Sequence, residues 1–288
     1  MLEKIMALRL GLSVLGLLFW FGCNGLPAVS MRQLSSLENE RTVRIFYRSV
    51  GGNVEAYVTR PRGDGPFPLI ILLHGHSLIG RGAEQVLGMA ETLAREMCFT
   101  GFAISLPGYG STEISEGSIE ETTRQVVKDG LSTAKQLSWI DPNHVLFYGV
   151  SRGATVAAAM LSDVEGVRGA VLYSGAYDLD MLYRDTSSVW VRKLLNPNGD
   201  ANPKLLKLLG RGSTWRAPTL ILHGSQDKLI PVNQAFLLRD RLKAVGTPHR
   251  LLLYPDHGHF LPRASIREQT VKFLRETTAP ACPSGNAS

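Results

Sequence analysis

The segment Val145-Leu-Phe-Tyr-Gly149-Val-Ser151-Arg-Gly153-Ala-Thr-Val-Ala-Ala-Ala-Met carries the strongest chemical signal in the chain. An apolar, β-rich run leads into Gly-x-Ser-x-Gly, and small helix-forming residues follow. That order predicts a strand, a sharp turn and a helix, with Ser151 at the apex in a strained backbone and its hydroxyl lifted above the sheet. Gly149 and Gly153 are small where strand and helix backbones must approach. The helix N-terminus beneath brings amide N–H groups and a positive dipole to the place where an oxyanion develops. Ser151 is therefore a candidate nucleophile for acyl transfer.

A serine hydroxyl needs a base, and the base needs an acid to hold its tautomer. Leu220-Ile-Leu-His223-Gly-Ser-Gln-Asp227 ends an apolar run with a carboxylate in the following loop. Leu253-Tyr-Pro-Asp256-His257-Gly258-His259-Phe260 places two histidines after the last apolar run. In a parallel sheet both loops open at the edge where Ser151 sits. Residue types alone leave His257 or His259 as base, and Asp227 or the earlier Asp178 or Asp180 as acid; Asp256 reads as a loop or capping carboxylate.

The His-x-His pairs His74/His76 and His257/His259 raise a zinc reading, but Ser77-Leu78-Ile79 adds no ligand to the first pair. Gly80-Arg-Gly82, Gly108-Tyr-Gly110 and Gly210-Arg-Gly212 lack the third glycine and the strand–helix setting of a dinucleotide site, and no Walker lysine motif occurs. The expectation is chemistry without metal or cofactor.

The elements that must position these residues follow from the apolar pattern. Thr42–Arg48 and Asn53–Thr59 alternate and read as a hairpin across Gly51-Gly52. Leu69–Leu73 is a continuous apolar run, as in a strand buried on both faces. Further strands are expected at Ala103–Leu106, His144–Tyr148, Gly169–Tyr173, Thr219–Leu222 and His249–Tyr254. Helices are expected at 83–97, 118–138, 152–162, 232–245 and 263–276, the second opened by a Ser118/Glu121 capping box. This alternation predicts an α/β fold with a mostly parallel sheet covered by helices on both faces. About 45 residues between Tyr173 and Thr219, including Trp190 and Trp215, interrupt it and read as a small cap insertion over a pocket at about 176–215.

Taken together, these motifs resemble the α/β-hydrolase superfamily, in particular its prolyl oligopeptidase catalytic-domain and dienelactone-hydrolase-like branch. The resemblance runs from about residue 50 to 276 and rests on His74-Gly75 after an apolar strand, the Gly149–Gly153 elbow, His223-Gly-x-x-Asp227 with Ile230-Pro231, and Gly258-His259-Phe260. It implies Ser151 as nucleophile, Asp227 as orienting acid and His259 as base, in the chain order the fold requires. It further implies an oxyanion hole made by the backbone N–H groups of His76 and Arg152. Arg152 departs from the tyrosine usual after the nucleophile in prolyl peptidases, which leaves its side chain as an ion-pair partner or a contact for a substrate carboxylate. The expected activity is that of a serine hydrolase on carboxylic esters or small acyl and peptide amides. A serine exo- or oligopeptidase is the alternative, and a catalytically silent binding protein the alternative from another class.

Length and charge bound these readings. The chain has 288 residues, with 31 Lys+Arg against 25 Asp+Glu, a net charge of +6. With 44% apolar and 19% charged residues it can bury a core, which excludes a disordered chain or a multi-span membrane protein. No dense basic run or zinc-finger pattern supports a nucleic-acid partner. Residues 1–30 read as a targeting segment: Lys4 and Arg9 precede an uncharged stretch, Leu10 to Gly22, shorter than the roughly 20 residues of a membrane span. A cleaved leader ending at Ala28-Val29-Ser30, a lipoprotein leader cut before Cys23, and an uncleaved membrane attachment are its three outcomes. The catalytic domain is expected over 37–277 and a disordered tail over 278–288, giving an exported, periplasmic, extracellular or envelope-anchored enzyme that takes a small ester or short peptide. With Cys98 read as a small packed residue and Cys282 in the tail, no disulfide framework is expected.

Overall fold

The computed structural model describes residues 41–278 except 116–118, 162, 197, 202, 204 and 206–214, together with residues 30 and 33. The leader, the Ser118 cap and the tail from 279 onward thus lie outside the described residues. Eight strands form one sheet: β1 (Thr42–Ser49), β2 (Gly52–Thr59), β3 (Phe67–Leu73), β4 (Thr100–Ile104), β5 (Ile140–Val150), β6 (Val167–Tyr173), β7 (Thr219–Gly224) and β8 (His249–Tyr254). Their order is β1-β2-β4-β3-β5-β6-β7-β8. The β1–β2 and β2–β4 pairs are antiparallel, and every pair from β4 to β8 is parallel.

Helices α1 (Leu87–Met97), α2 (Arg124–Lys135), α3 (Arg152–Leu161), α6 (Asn233–Ala244) and α7 (Arg263–Thr277) cover the sheet. Two short helices, α4 (Leu179–Asp185) and α5 (Val189–Leu195), lie between β6 and β7. All seven residues of β3 are buried, and they alternate between two cores. Leu69, Ile71 and Leu73 pack with residues of α2, α3 and α6, while Ile70 and Leu72 pack with residues of α1 and α7. That two-sided burial is why β3 reads as an unbroken apolar run rather than an alternating one.

Differences from the sequence reading are local. The hairpin turns at Val50-Gly51, not Gly51-Gly52: Ser49 pairs with Gly52, and both turn residues have positive φ, 46° and 81°, as a two-residue turn matching strand twist demands. β4 starts at Thr100, three residues early, because pairing with β3 continues past its most apolar stretch. One π turn, Ile119–Thr123, precedes α2. Trp215 belongs to the main core, not to the cap. Cys98, φ 53° at the end of α1, is disulfide-bonded rather than a merely packed thiol. Among the described residues no helix is long and apolar enough to cross a membrane.

The chain passes from β3 to β4 on one side and from β4 to β5 on the other, so the loops after β3 and β5 part at the carboxyl edge. A crevice opens at such a reversal of strand order. The loops after β3, β5, β6, β7 and β8 all meet at this edge.

Candidate active site

Ser151 follows β5 directly, and its φ of 51° lies in the left-handed region that a residue bearing Cβ avoids. The surroundings hold it there. Its N–H donates to Tyr173 O at 2.8 Å, and its carbonyl accepts from Ala154 and Thr155 at 2.9 and 3.1 Å, which starts α3. Gly149 and Gly153 permit the turn: a Cβ at Gly149 would lie 2.5 Å from Gly153 O, and one at Gly153 would run into Leu73 O and His74 O. The elbow therefore requires both glycines for backbone approach.

His259 and Asp227 arrive from two loops. His259 Nε2 lies 3.0 Å from Ser151 Oγ, and His259 Nδ1 lies 2.7 Å from Asp227 Oδ2. Asp227 is fully enclosed at its carboxylate, and its other oxygen accepts from the amides of Leu229 and Ile230, both at 2.9 Å. With Nδ1–H donating to a carboxylate, the Nε2 lone pair faces the serine hydroxyl.

The remaining candidates are placed elsewhere. Asp178 caps α4 by accepting from Met181 N at 2.8 Å, and Asp180 pairs with Arg184 at 2.7 Å. Asp256 is exposed. His257 packs its ring against Tyr254, centroids 6.0 Å apart. Of the alternatives, only Asp227 and His259 form a chain with Ser151.

His74 is buried, and its Nε2 accepts from Leu106 N at 2.9 Å while Nδ1–H donates to Gly75 O at 2.7 Å. Burial pushes its pKa down to about 4, so it stays neutral and braces the loop. His76 hydrogen-bonds Tyr109 Oη through Nδ1 and packs 4.8 Å from the Trp190 ring. The Arg152 guanidinium lies 6.0 Å from the centre of the Tyr109 ring. His76, Ser151, Arg152 and His259 all line one cavity of about 410 Å³. Its far wall is apolar: Ala176, Leu179, Leu182, Val191, Leu229 and Ile230, mostly members of a separate small core under α4 and α5.

Three supports carry roles that no sequence motif disclosed, although one of them, His223, lies within a quoted motif. Tyr173 Oη donates to His259 O at 3.1 Å and accepts from Leu261 N at 2.8 Å, fixing the backbone on both sides of Phe260. Ser174 Oγ adds a 3.2 Å bond to His259 O. His223, buried and with its pKa lowered chiefly by desolvation, donates from Nε2 to Ile230 O at 2.8 Å. It thereby clasps the loop whose amides hold Asp227. Tyr173 ends β6, Ser174 follows it, and neither carries a spacing that relates it to His259; only the parallel sheet sets them opposite it.

Residues 119–279 match the prolyl oligopeptidase family, Peptidase_S9. The chain is 21% identical over 254 residues to the uncharacterized peptidase YtmA of Bacillus subtilis strain 168, covering 82% of this chain and 94% of that one. Among solved structures it superposes on the Pyrococcus horikoshii acylaminoacyl peptidase with a TM-score of 0.68 at 14% identity, spanning 88% of this chain and 44% of that one. The Pyrococcus furiosus esterase Pf2001 gives a TM-score of 0.66 at 17% identity, spanning 88% and 98% of the two chains. These likenesses establish the α/β-hydrolase fold anticipated from the motifs. With more than half of its length matched by one family and a serine elbow at its centre, the chain is a serine hydrolase belonging to the prolyl oligopeptidase family.

Proposed function

We propose that the protein hydrolyses carboxylic esters of apolar acids through Ser151, His259 and Asp227. The observation that carries this reading is the unbroken hydrogen-bond chain, 3.0 Å from serine to imidazole and 2.7 Å from imidazole to carboxylate, opening into an apolar cavity. Ser151 Oγ attacks the carbonyl as its proton passes to His259 Nε2. The backbone amides of His76 and Arg152 stabilise the oxyanion, a contribution of roughly 3–4 kcal/mol per donor. The imidazolium then gives its proton to the departing alkoxide. Water, deprotonated by His259, attacks the acyl-Ser151 ester and releases the acid. The leucine-lined wall accommodates the acyl chain, at about 0.8 kcal/mol for each buried methylene.

Peptide-bond cleavage is the second reading, favoured by the family match. The decisive experiment compares kcat/KM on acyl esters of increasing length with that on matched aminoacyl and peptidyl anilides, using Ser151→Ala as control. Ester turnover that rises with chain length supports the proposal; turnover confined to anilides replaces it with a peptidase. Lack of any turnover and of fluorophosphonate labelling would leave a silent binding protein.

We also propose that the chain is exported, either released or held at the envelope by its N-terminus. The short apolar stretch behind Lys4 and Arg9 supports this. The disulfide at Cys98 also fits an oxidising compartment better than a reducing cytosol.

A further inference from the structure

Nine large apolar side chains are exposed among the described residues, and six of them, Leu78, Ile79, Val189, Trp190, Leu194 and Phe260, belong to one neighbourhood. Leu78, Trp190, Leu194 and Phe260 line the mouth of the active-site cavity, and Ile79 and Val189 are their chain neighbours. The six come from three places in the fold: the loop after β3, helix α5 and the segment after β8. Four of them, Leu78, Ile79, Val189 and Phe260, are more than 80% exposed. A contiguous apolar collar of this kind, drawn from separate segments, marks a surface that meets something apolar.

Charge identifies what it meets. Lys193, Lys228 and Arg263 are exposed beside the collar, and none forms an ion pair among the described residues. Arg81 and Arg184 stand there too, paired with Glu84 and Asp180. The opposing carboxylates are Asp185, which accepts from Asn233 at 2.6 Å, and the exposed Asp256. The surplus is positive, in a chain of net charge +6. A second copy of the chain would bring like charges together around the collar, whereas an anionic bilayer complements both the apolar centre and the cationic border.

We propose that the collar seats on an anionic bilayer surface, so that the mouth of the catalytic cavity faces lipid. Leucine, isoleucine, valine and phenylalanine side chains then enter the headgroup–acyl boundary, Trp190 lies at the interface, and the lysines and arginine lie at phosphate level. An apolar ester would pass from lipid to Ser151 without crossing water.

The chain carries its own reporter. Trp139 and Trp215 are 4% and 2% exposed, whereas Trp190 is 41% exposed. In the full-length protein, Trp20→Phe removes the indole of the N-terminal segment and leaves Trp190 as the tryptophan that lipid can reach. The test is fluorescence quenching by brominated-chain phosphatidylcholine vesicles, with and without phosphatidylglycerol. The expected result is quenching on the anionic vesicles, weakened about tenfold in apparent affinity by Ile79→Ser with Val189→Ser, at an unchanged unfolding midpoint. Protein recovered with the vesicles but with Trp190 unquenched would overturn the proposal, because the N-terminus alone would then be holding it. Equal quenching on zwitterionic vesicles, or a dimer in sedimentation that the double variant abolishes, would overturn it as well.

Discussion

Ser151 holds a backbone conformation that ordinarily costs about 1–3 kcal/mol, and the hydrogen bonds to Tyr173, Ala154 and Thr155 keep it there. The strained residue is the one proposed as nucleophile, and in that proposal the strain serves presentation of the hydroxyl. Two substitutions test the residues directly. Ser151→Ala should lower kcat by about 10⁶, leaving what binding and the oxyanion site supply; pre-steady-state and steady-state ester assays measure it. Asp227→Asn should lower kcat by about 10⁴ with the site otherwise intact, because an amide nitrogen facing Nδ1 favours the wrong tautomer. Tyr173→Phe tests the support beneath His259. Removing the hydroxyl leaves His259 O and Leu261 N without a shared partner, and kcat should fall about tenfold while KM for a short ester holds steady.

At the scale of elements, the α4–α5 insertion and the loop that carries Asp227 form one unit. Thr186, buried between α4 and α5, donates from Oγ1 to Leu229 O at 3.0 Å and accepts from Ser188 N at 3.2 Å. Leu229 and Ile230 in turn wall the cavity and hold Asp227 through their amides. Thr186→Val should therefore cost about 1–3 kcal/mol of stability and raise KM for long acyl esters more than for short ones. Urea unfolding and the chain-length series read the two effects separately. The loop after β3 makes a second prediction. His74 in the folded protein takes a proton only near pH 4, whereas in the unfolded chain it does so near the usual histidine value of about 6.5. Between those values the unfolded state binds more protons, so stability falls as pH falls through that window, by about 3 kcal/mol at its end. His223, shifted in the same direction by burial, adds to the loss. Unfolding midpoints at pH 7, 5.5 and 4.5 should decline accordingly, and the His74 imidazole should show no NMR titration above pH 5.

For the whole molecule, the sheet is what turns distant sequence into a site. Ser151 and His259 are 108 positions apart, yet their side chains meet at 3.0 Å. Parallel strands place every following loop at one edge, and the reversal around β3 opens the crevice there. Export belongs to this scale as well: residues 1–30 fused ahead of a phosphatase that folds only in an oxidising compartment should yield active reporter. Loss of that activity on replacing Leu15, Leu17 and Leu18 with charged residues would confirm that the apolar stretch is responsible.

Much of the candidate site is legible in the sequence because its signals are local. The serine elbow needs small residues at fixed offsets from Ser151. The strands that carry it are buried on both faces and so appear as apolar runs. The family resemblance favours His259 over His257 and Asp227 over Asp178, and these are the two side chains hydrogen-bonded in line with Ser151. The turn falls at Val50-Gly51, one residue before the glycine pair that marks it in the sequence; a valine with positive φ is uncommon, and only the strand register decides it.

The sequence by itself determined the fold class, the order of elements and the residue types available for acyl transfer, since these depend on periodicity and short-range sterics. The tertiary structure decided what depends on packing between segments remote in the chain. It joined Tyr173 and Ser174 to the backbone of His259, tied Thr186 to the loop of Asp227, and put Trp215 in the core but Trp190 at the cavity mouth. It also gathered six exposed apolar side chains from three segments into one collar. No spacing rule encodes such meetings, because each arises from the register of parallel strands and the way two short helices settle over them.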